Sequence, residues 1–312
     1  MIYTLIRQVL MMLLLSLVGY LMFRSGKITM EGSKSLGNIL IYLSLPCVII
    51  NSFQLEFTQE RLVGLLLSSA LSLLALVVSI FLSRVFFHKN AIESFGAAFS
   101  NPGFFGIPLI MASISQEAVF YIAPFIAFLN LLQWTYGVSL MTYESKNSEI
   151  STSEYWLKQL CTLIKAPFMV AILIGLFFFL SGMQMPVLLS NCITHIANLN
   201  TPIAMFTIGI YLAQTNAFQM FLKPRLYFIA IVRMILIPIA TMFLLCLIPN
   251  IWMDMKLAIL IASACPVGSN IAVYAQLHNN NYTYAVETVV LSTFISIITI
   301  PALITCATRI WI

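Results

Sequence analysis

The sequence predicts an all-α integral membrane protein: ten transmembrane helices in two inverted five-helix repeats, with helices 4 and 9 broken where they cross over. Three observations predict this. First, the 312 residues are 61% hydrophobic and only 8% charged, and the mean hydropathy is +1.00. A soluble domain of this length cannot hide so much apolar surface. Second, crossing a bilayer core takes about 20 apolar residues, and ten segments meet that measure: 5–23, 36–53, 62–86, 92–112, 118–140, 164–181, 187–213, 225–247, 256–276 and 284–308. Third, two of those segments are interrupted by proline, glycine and amide side chains. They read Ser100-Asn101-Pro102-Gly103-Phe104-Phe105-Gly106-Ile107-Pro108 and Ala264-Cys265-Pro266-Val267-Gly268-Ser269-Asn270. Backbone freed from helix hydrogen bonds is costly in hydrocarbon, so it persists only where protein or a water-filled cavity satisfies it.

Taken in order, the first segment follows Arg7 and precedes Arg24 and Lys27. No small-x-small cleavage site follows it, so it is expected to stay as an uncleaved first helix. The second carries Leu43-Ser44-Leu45-Pro46, where proline removes a helix donor. The third is uninterrupted, the fourth holds the first break, and the fifth contains Asn130 and Gln133. A polar stretch, 142–158, then mixes both charge signs with serines and separates residues 1–140 from 164–312, with 141–163 as a cytoplasmic linker. The sixth segment opens on Pro167, and the seventh carries His195 and Asn198-Leu199-Asn200-Thr201-Pro202. The eighth contains Arg233 and Pro238, the ninth holds the second break, and the tenth contains Glu287, Ser292, Thr293 and Ser296.

An odd number of spans per half inverts the second half relative to the first. The prolines echo this, since both second helices and both fourth helices of the halves are interrupted. Positive charge sets the orientation. With both termini external, the cytoplasmic loops hold Arg24, Lys27, Lys34, Arg84, Lys89, Lys146, Lys158, Lys165, Lys223 and Arg225, which is ten of the 15 basic residues. The outer side keeps Arg7, Arg61, Lys256 and Arg309. Because the basic residues are scattered over short loops, the net charge of +5 is no nucleic-acid footprint. The six cysteines include no Cys-x-x-Cys pair and read as small buried hydrophobes rather than disulfides or metal ligands.

The order of these features resembles the auxin efflux carrier family, the group that includes the plant PIN carriers and bacterial relatives. The matching residues are Asn101-Pro102-Gly103-Phe104-Phe105-Gly106-Ile107-Pro108, Lys165-Ala166-Pro167-Phe168, Arg233 with Pro238, and Leu291-Ser292-Thr293-Phe294-Ile295-Ser296-Ile297-Ile298-Thr299-Ile300-Pro301. The resemblance implies a scaffold of helices 1, 2, 6 and 7 beside a transport domain of helices 3–5 and 8–10. It implies that helices 4 and 9 cross at Pro102 and Pro266 with an organic anion bound near the crossing. It further implies carboxylate substrates, auxins in plants and malate or malonate in bacteria, and a bacterial inner membrane location. The oligomeric state stays open in the sequence, with a homodimer through the scaffold helices as one expectation. The long hydrophilic loop of some plant members is missing.

The residues themselves point to the same chemistry. A half-helix starting at Pro102 leaves its first amides without carbonyl partners, and Pro266 is expected to start another from the inverted direction. Two such N-termini make an anion site without a cationic side chain. Gly103 and Gly268 permit close approach, and Asn101, Ser269 and Asn270 add polar groups that fix orientation. The competing explanation is that proline and glycine merely kink ordinary spans. Around this core, Pro46, Asn130, Gln133, His195, Arg233, Glu287 and Ser292 are candidates for cavity lining or ion coupling. Each has a structural alternative. Arg233 can hold carbonyls at a helix break, His195 can be hydrogen-bonded in place, and Glu287 suits a helix start. The polar residues of helices 5 and 10 can serve packing.

Function follows as an expectation: a secondary or facilitated carrier of a small organic anion, working by alternating access, with an anion channel or membrane receptor as the alternative. No cofactor is expected, and the coupling ion, H⁺ or Na⁺, stays open. No Walker A lysine pattern is present. An enzyme is excluded: the three histidines form no His-Glu-x-x-His motif, and the single aspartate, Asp254, falls in a loop.

Overall fold

The computed structural model describes residues 2–144 and 166–311, and those residues are almost wholly helical. Seven helices are long and apolar enough to cross a membrane: α1 (Tyr3–Arg24), α2 (Met30–Ser52), α3 (Gln59–Phe87), α6 (Glu117–Thr142), α8 (Val187–Gln214), α9 (Pro224–Leu245) and α12 (Tyr282–Trp311). The other three predicted segments take different forms. One is the shorter α7 (Pro167–Ser181). The fourth segment is two helices, α4 (Ala91–Ala98) and α5 (Pro102–Ser113). The ninth is also two, α10 (Met253–Ala264) and α11 (Asn270–Leu277). Most of the predicted linker, with Lys146, Lys158 and Cys161, lies outside the described residues, as does Lys165.

Local chemistry explains the helix boundaries. Thr58 and Asn90 accept hydrogen bonds from the third amides of α3 and α4, which satisfies donors that have no carbonyl within the helix. Gly182 ends α7 in the left-handed conformation that glycine adopts without strain. Pro46 and Pro238 each follow a widened π-type turn, Leu40–Ser44 in α2 and Val232–Leu236 in α9. The wider turn accommodates a residue that cannot donate to the turn before it. Helix α8 bends at Asn198 and Leu199, just before Asn200 and Pro202.

Packing between the halves is reciprocal. Helix α1 lies along the part of α8 that follows the bend, and α7 lies against the part of α2 that follows Pro46. The α1–α8 contact is backbone on backbone. A Cβ on Gly19 would fall on the Phe206 carbonyl, and one on Gly209 would fall on the Ser16 carbonyl and lie 2.7 Å from the Tyr20 amide nitrogen. Small residues permit this approach in apolar surroundings, where dispersion and close packing hold helices together. Gly209→Ala is therefore expected to lower the melting temperature of the purified protein by the equivalent of about 1–3 kcal/mol. Gly37→Ala, whose Cβ would meet nothing within 4 Å, is the control and should melt with the unmodified protein.

The outer faces stay apolar. Leu14, Phe81, Phe177, Leu188 and Ile298 are among the exposed large hydrophobic side chains, as expected of surfaces that meet lipid. The centre is built from α4, α5, α10 and α11, enclosed by α3, α6, α9 and α12.

Candidate functional site

The two interruptions meet. Between α4 and α5, and between α10 and α11, the chain is extended, and Ser100 pairs with Val267 in an antiparallel bridge. The Asn101 amide donates to the Pro266 carbonyl at 2.9 Å, and the Gly268 amide donates to the Phe99 carbonyl at 2.9 Å. Each break thus supplies partners that the other lacks, as backbone without water requires. Glycine is needed at 268 because a Cβ there would lie 2.9 Å from the Ser100 carbonyl oxygen.

Four helix ends converge on this bridge, and their polarities are treated differently. At the N-terminal ends, donors remain free. Among the described residues nothing accepts from the amides of Gly103, Phe104, Ser269 or Asn270. The side-chain nitrogen of Asn101, a residue only 6% exposed, is also without an acceptor. At the C-terminal ends, acceptors are covered by Arg233, which is 1% exposed. Its Nη1 donates to the Ala97 carbonyl at 3.1 Å, the Ala98 carbonyl at 3.0 Å and Ser79 Oγ at 3.0 Å. Its Nη2 donates to the Ser263 carbonyl. One guanidinium therefore ties the end of α4 to the end of α10. Helix dipoles place partial negative charge at C-terminal ends and partial positive charge at N-terminal ends. With the negative ends neutralised by Arg233, the crossing is left with uncompensated donors.

Neighbouring side chains hold the shape. Ser292 Oγ accepts from the Val267 amide at 3.0 Å and donates to the Val289 carbonyl at 2.9 Å. Gln133, buried at the start of a widened turn in α6, accepts through Oε1 from Asn270 Nδ2 at 2.9 Å. Asn200, at the bend in α8, donates through Nδ2 to the Gly103 carbonyl at 3.1 Å. These contacts link α12, α6 and α8 to the two breaks.

The sequence pattern of the membrane transport protein family matches residues 4–304. The chain belongs to that family. It is an integral, multi-pass membrane transporter and not an enzyme. The chain is also 22% identical over 296 residues to a Rhizobium meliloti (strain 1021) protein named "Putative malonate transporter", with 92% of this chain and 91% of that protein covered.

In this transporter the expected site residues separate into groups. Asn101, Pro102, Gly103, Gly268, Ser269 and Asn270 all lie at the crossing, together with Gln133 and Ser292. Pro266 lies there too, but the expectation that it starts a half-helix is corrected. Helix α11 begins only at Asn270, because Val267 and Gly268 give their amides to Ser292 and Phe99. Arg233 takes the carbonyl-holding role. Asn130 donates back to Ile126 of its own helix at 2.8 Å, and Pro46 follows the widened turn within α2. His195 is exposed on α8 and makes no contact with the crossing among the described residues.

Glu287 is a full turn inside α12, buried, and paired with Lys223 Nζ at 2.6 Å. Beside it, buried Glu93 receives Arg225 Nε at 2.9 Å and the Tyr284 hydroxyl at 3.0 Å. These pairs fasten the beginnings of α4, α9 and α12. Lys256, counted on the outer side as the first residue of the ninth segment, is buried within α10, donates to the Ile248 carbonyl and Asn250 Oδ1 at 3.0 Å, and lies over the Trp311 ring. The helix starts three residues earlier than hydropathy placed it, which draws the lysine inward. The cysteines are also corrected in part. Cys47 and Cys265 are buried, but Cys192, Cys246 and Cys306 are exposed. Asn200 and Glu93 were missed as site and clamp residues. The Asn-x-Pro and Glu-after-Asn contexts mark a bend and a helix start, and neither names a distant partner.

Proposed function

We propose that the protein is a carrier of a small organic anion, a mono- or dicarboxylate, working by alternating access. The observation that carries this reading is the crossing, where four amides and the Asn101 side-chain nitrogen lack acceptors at the two paired breaks while Arg233 covers carbonyls at the opposite helix ends. Such an arrangement stabilises negative charge with fixed dipoles. The reciprocal α1–α8 and α7–α2 packing and the paired breaks support two inverted five-span repeats. In that scheme α1, α2, α7 and α8 form the scaffold and α3–α6 with α9–α12 form the moving body. The bacterial relative's name makes malonate the first ligand to try. The distribution of basic residues supports both termini facing outward, and the bacterial relative supports a bacterial inner membrane location.

The test is a thermal-shift panel of mono- and dicarboxylates on purified protein, with and without Na⁺, since a ligand that prefers the folded state raises its melting point. At least one carboxylate is expected to stabilise the protein. Asn101→Ala should lose that shift and the matching uptake in proteoliposomes while inserting normally. Saturable uptake with counterflow is the expected transport signature. Unitary currents would make the crossing a channel instead, and unchanged uptake by Asn101→Ala would remove the crossing as the site.

A further inference from the structure

Asn200 carries an unmet hydrogen-bonding demand at the crossing. Its residue is 2% exposed, and its side-chain nitrogen donates to the Gly103 carbonyl at 3.1 Å. A carbonyl can only accept, so that bond fixes the amide's orientation and identifies the other atom as oxygen. This oxygen, Oδ1, is buried with no donor in reach among the described residues. It belongs to the side chain that grips Gly103, whose own amide is one of the free donors. The crossing therefore combines donors lacking acceptors with two unpaired side-chain oxygens, of which Ser100 Oγ is a hydroxyl that can donate as well as accept, while Asn200 Oδ1 can only accept. A bare carboxylate answers only the first need, and against Asn200 Oδ1 it would set oxygen against oxygen. Buried polar groups left unpaired are the chief source of discrimination between otherwise similar ligands.

We infer that Asn200 is a specificity residue, and that the bound anion carries a hydrogen-bond donor, a hydroxyl or an amide, besides its carboxylate. This rests on the anion reading of the crossing. The donor end of the ligand meets Asn200 Oδ1, and the carboxylate end meets the free amides and Asn101. Since Asn200 stands on α8 and the amides stand on α5 and α11, the ligand bridges two groups of helices.

The experiment compares matched ligands at fixed pH on the full-length purified protein. Malonamate and 3-hydroxypropionate each carry a donor; monomethyl malonate and 3-methoxypropionate are their counterparts without one. Binding is measured by calorimetry on the unmodified protein, on Asn200→Leu and on Asn101→Ala. The unmodified protein should bind each donor-bearing ligand about tenfold more tightly than its counterpart, the worth of one buried hydrogen bond. In Asn200→Leu the difference should shrink to less than about twofold, and in Asn101→Ala all four ligands should weaken together. Equal binding within the pairs by the unmodified protein overturns the inference while leaving the anion site standing, and it does so even if Asn200→Leu fails to fold. Discrimination that survives Asn200→Leu also overturns it. If none of the four ligands nor malonate binds, or if binding ignores Asn101→Ala, the anion reading falls and the inference falls with it.

Discussion

Arg233→Ala should cost about 2–6 kcal/mol of stability, read as a fall in melting temperature and in monodisperse yield. The figure follows from what the substitution strands. The Ala98 carbonyl keeps a second donor, Ser79 Oγ at 2.6 Å. The Ala97 and Ser263 carbonyls keep none among the described residues. Each buried acceptor left bare costs about 1–3 kcal/mol. Arg233→Lys should recover only part, because one ammonium cannot span two helix ends as the planar guanidinium does. A different outcome would change the residue's role. If Arg233→Ala melts normally and loses only anion binding, the guanidinium is a ligand group and not a tie between α4 and α10.

Gly268→Ala should be nearly as damaging, through a different cause. The added methyl would lie 2.9 Å from the Ser100 carbonyl oxygen and 3.3 Å from that of Phe99. Both are backbone atoms and cannot rotate aside. The bridge must open, which gives up the Asn101–Pro266 and Gly268–Phe99 hydrogen bonds together. Uptake should be abolished and the melting temperature should fall by the equivalent of about 2–4 kcal/mol. Gly103→Ala is the informative partner. Its methyl would meet only the Leu45 side chain at 3.4 Å, so its melting temperature should stay close to that of the unmodified protein. Equal tolerance at both positions would mean that the breaks do not need to touch.

These predictions mix what the sequence makes visible with what it hides. Hydropathy located the apolar segments because lipid imposes a length on them. The two breaks were visible because proline, glycine and asparagine together cannot be ordinary hydrocarbon-facing helix. Gln133 and Asn270 stood out for the same reason, as polar residues in apolar runs, but their pairing was hidden, since 137 positions separate them. Arg233 was conspicuous and its partners were not. They are main-chain carbonyls, which every residue has, so no side-chain pattern marks them. Glu287 was visible one turn into the last helix, but its counter-ion was not, since Lys223 arrives from the start of another helix. The exposed cysteines were misjudged for a more general reason. In a membrane protein an apolar stretch faces lipid as readily as it faces the core, so hydropathy alone does not say which side a thiol occupies.

The Ser100–Val267 bridge also bears on how the chain is made. Groups around residue 100 leave the ribosome with the first half of the chain, yet their partners belong to the last quarter. Until that stretch is synthesised, the Phe99 carbonyl and Asn101 amide have no counterpart from the second break. Neither half of the protein is therefore finished on its own. Maturation is completed late, by a closing step that joins segments inserted at different times, and truncation before residue 267 leaves the earlier half with main-chain groups that it cannot satisfy alone.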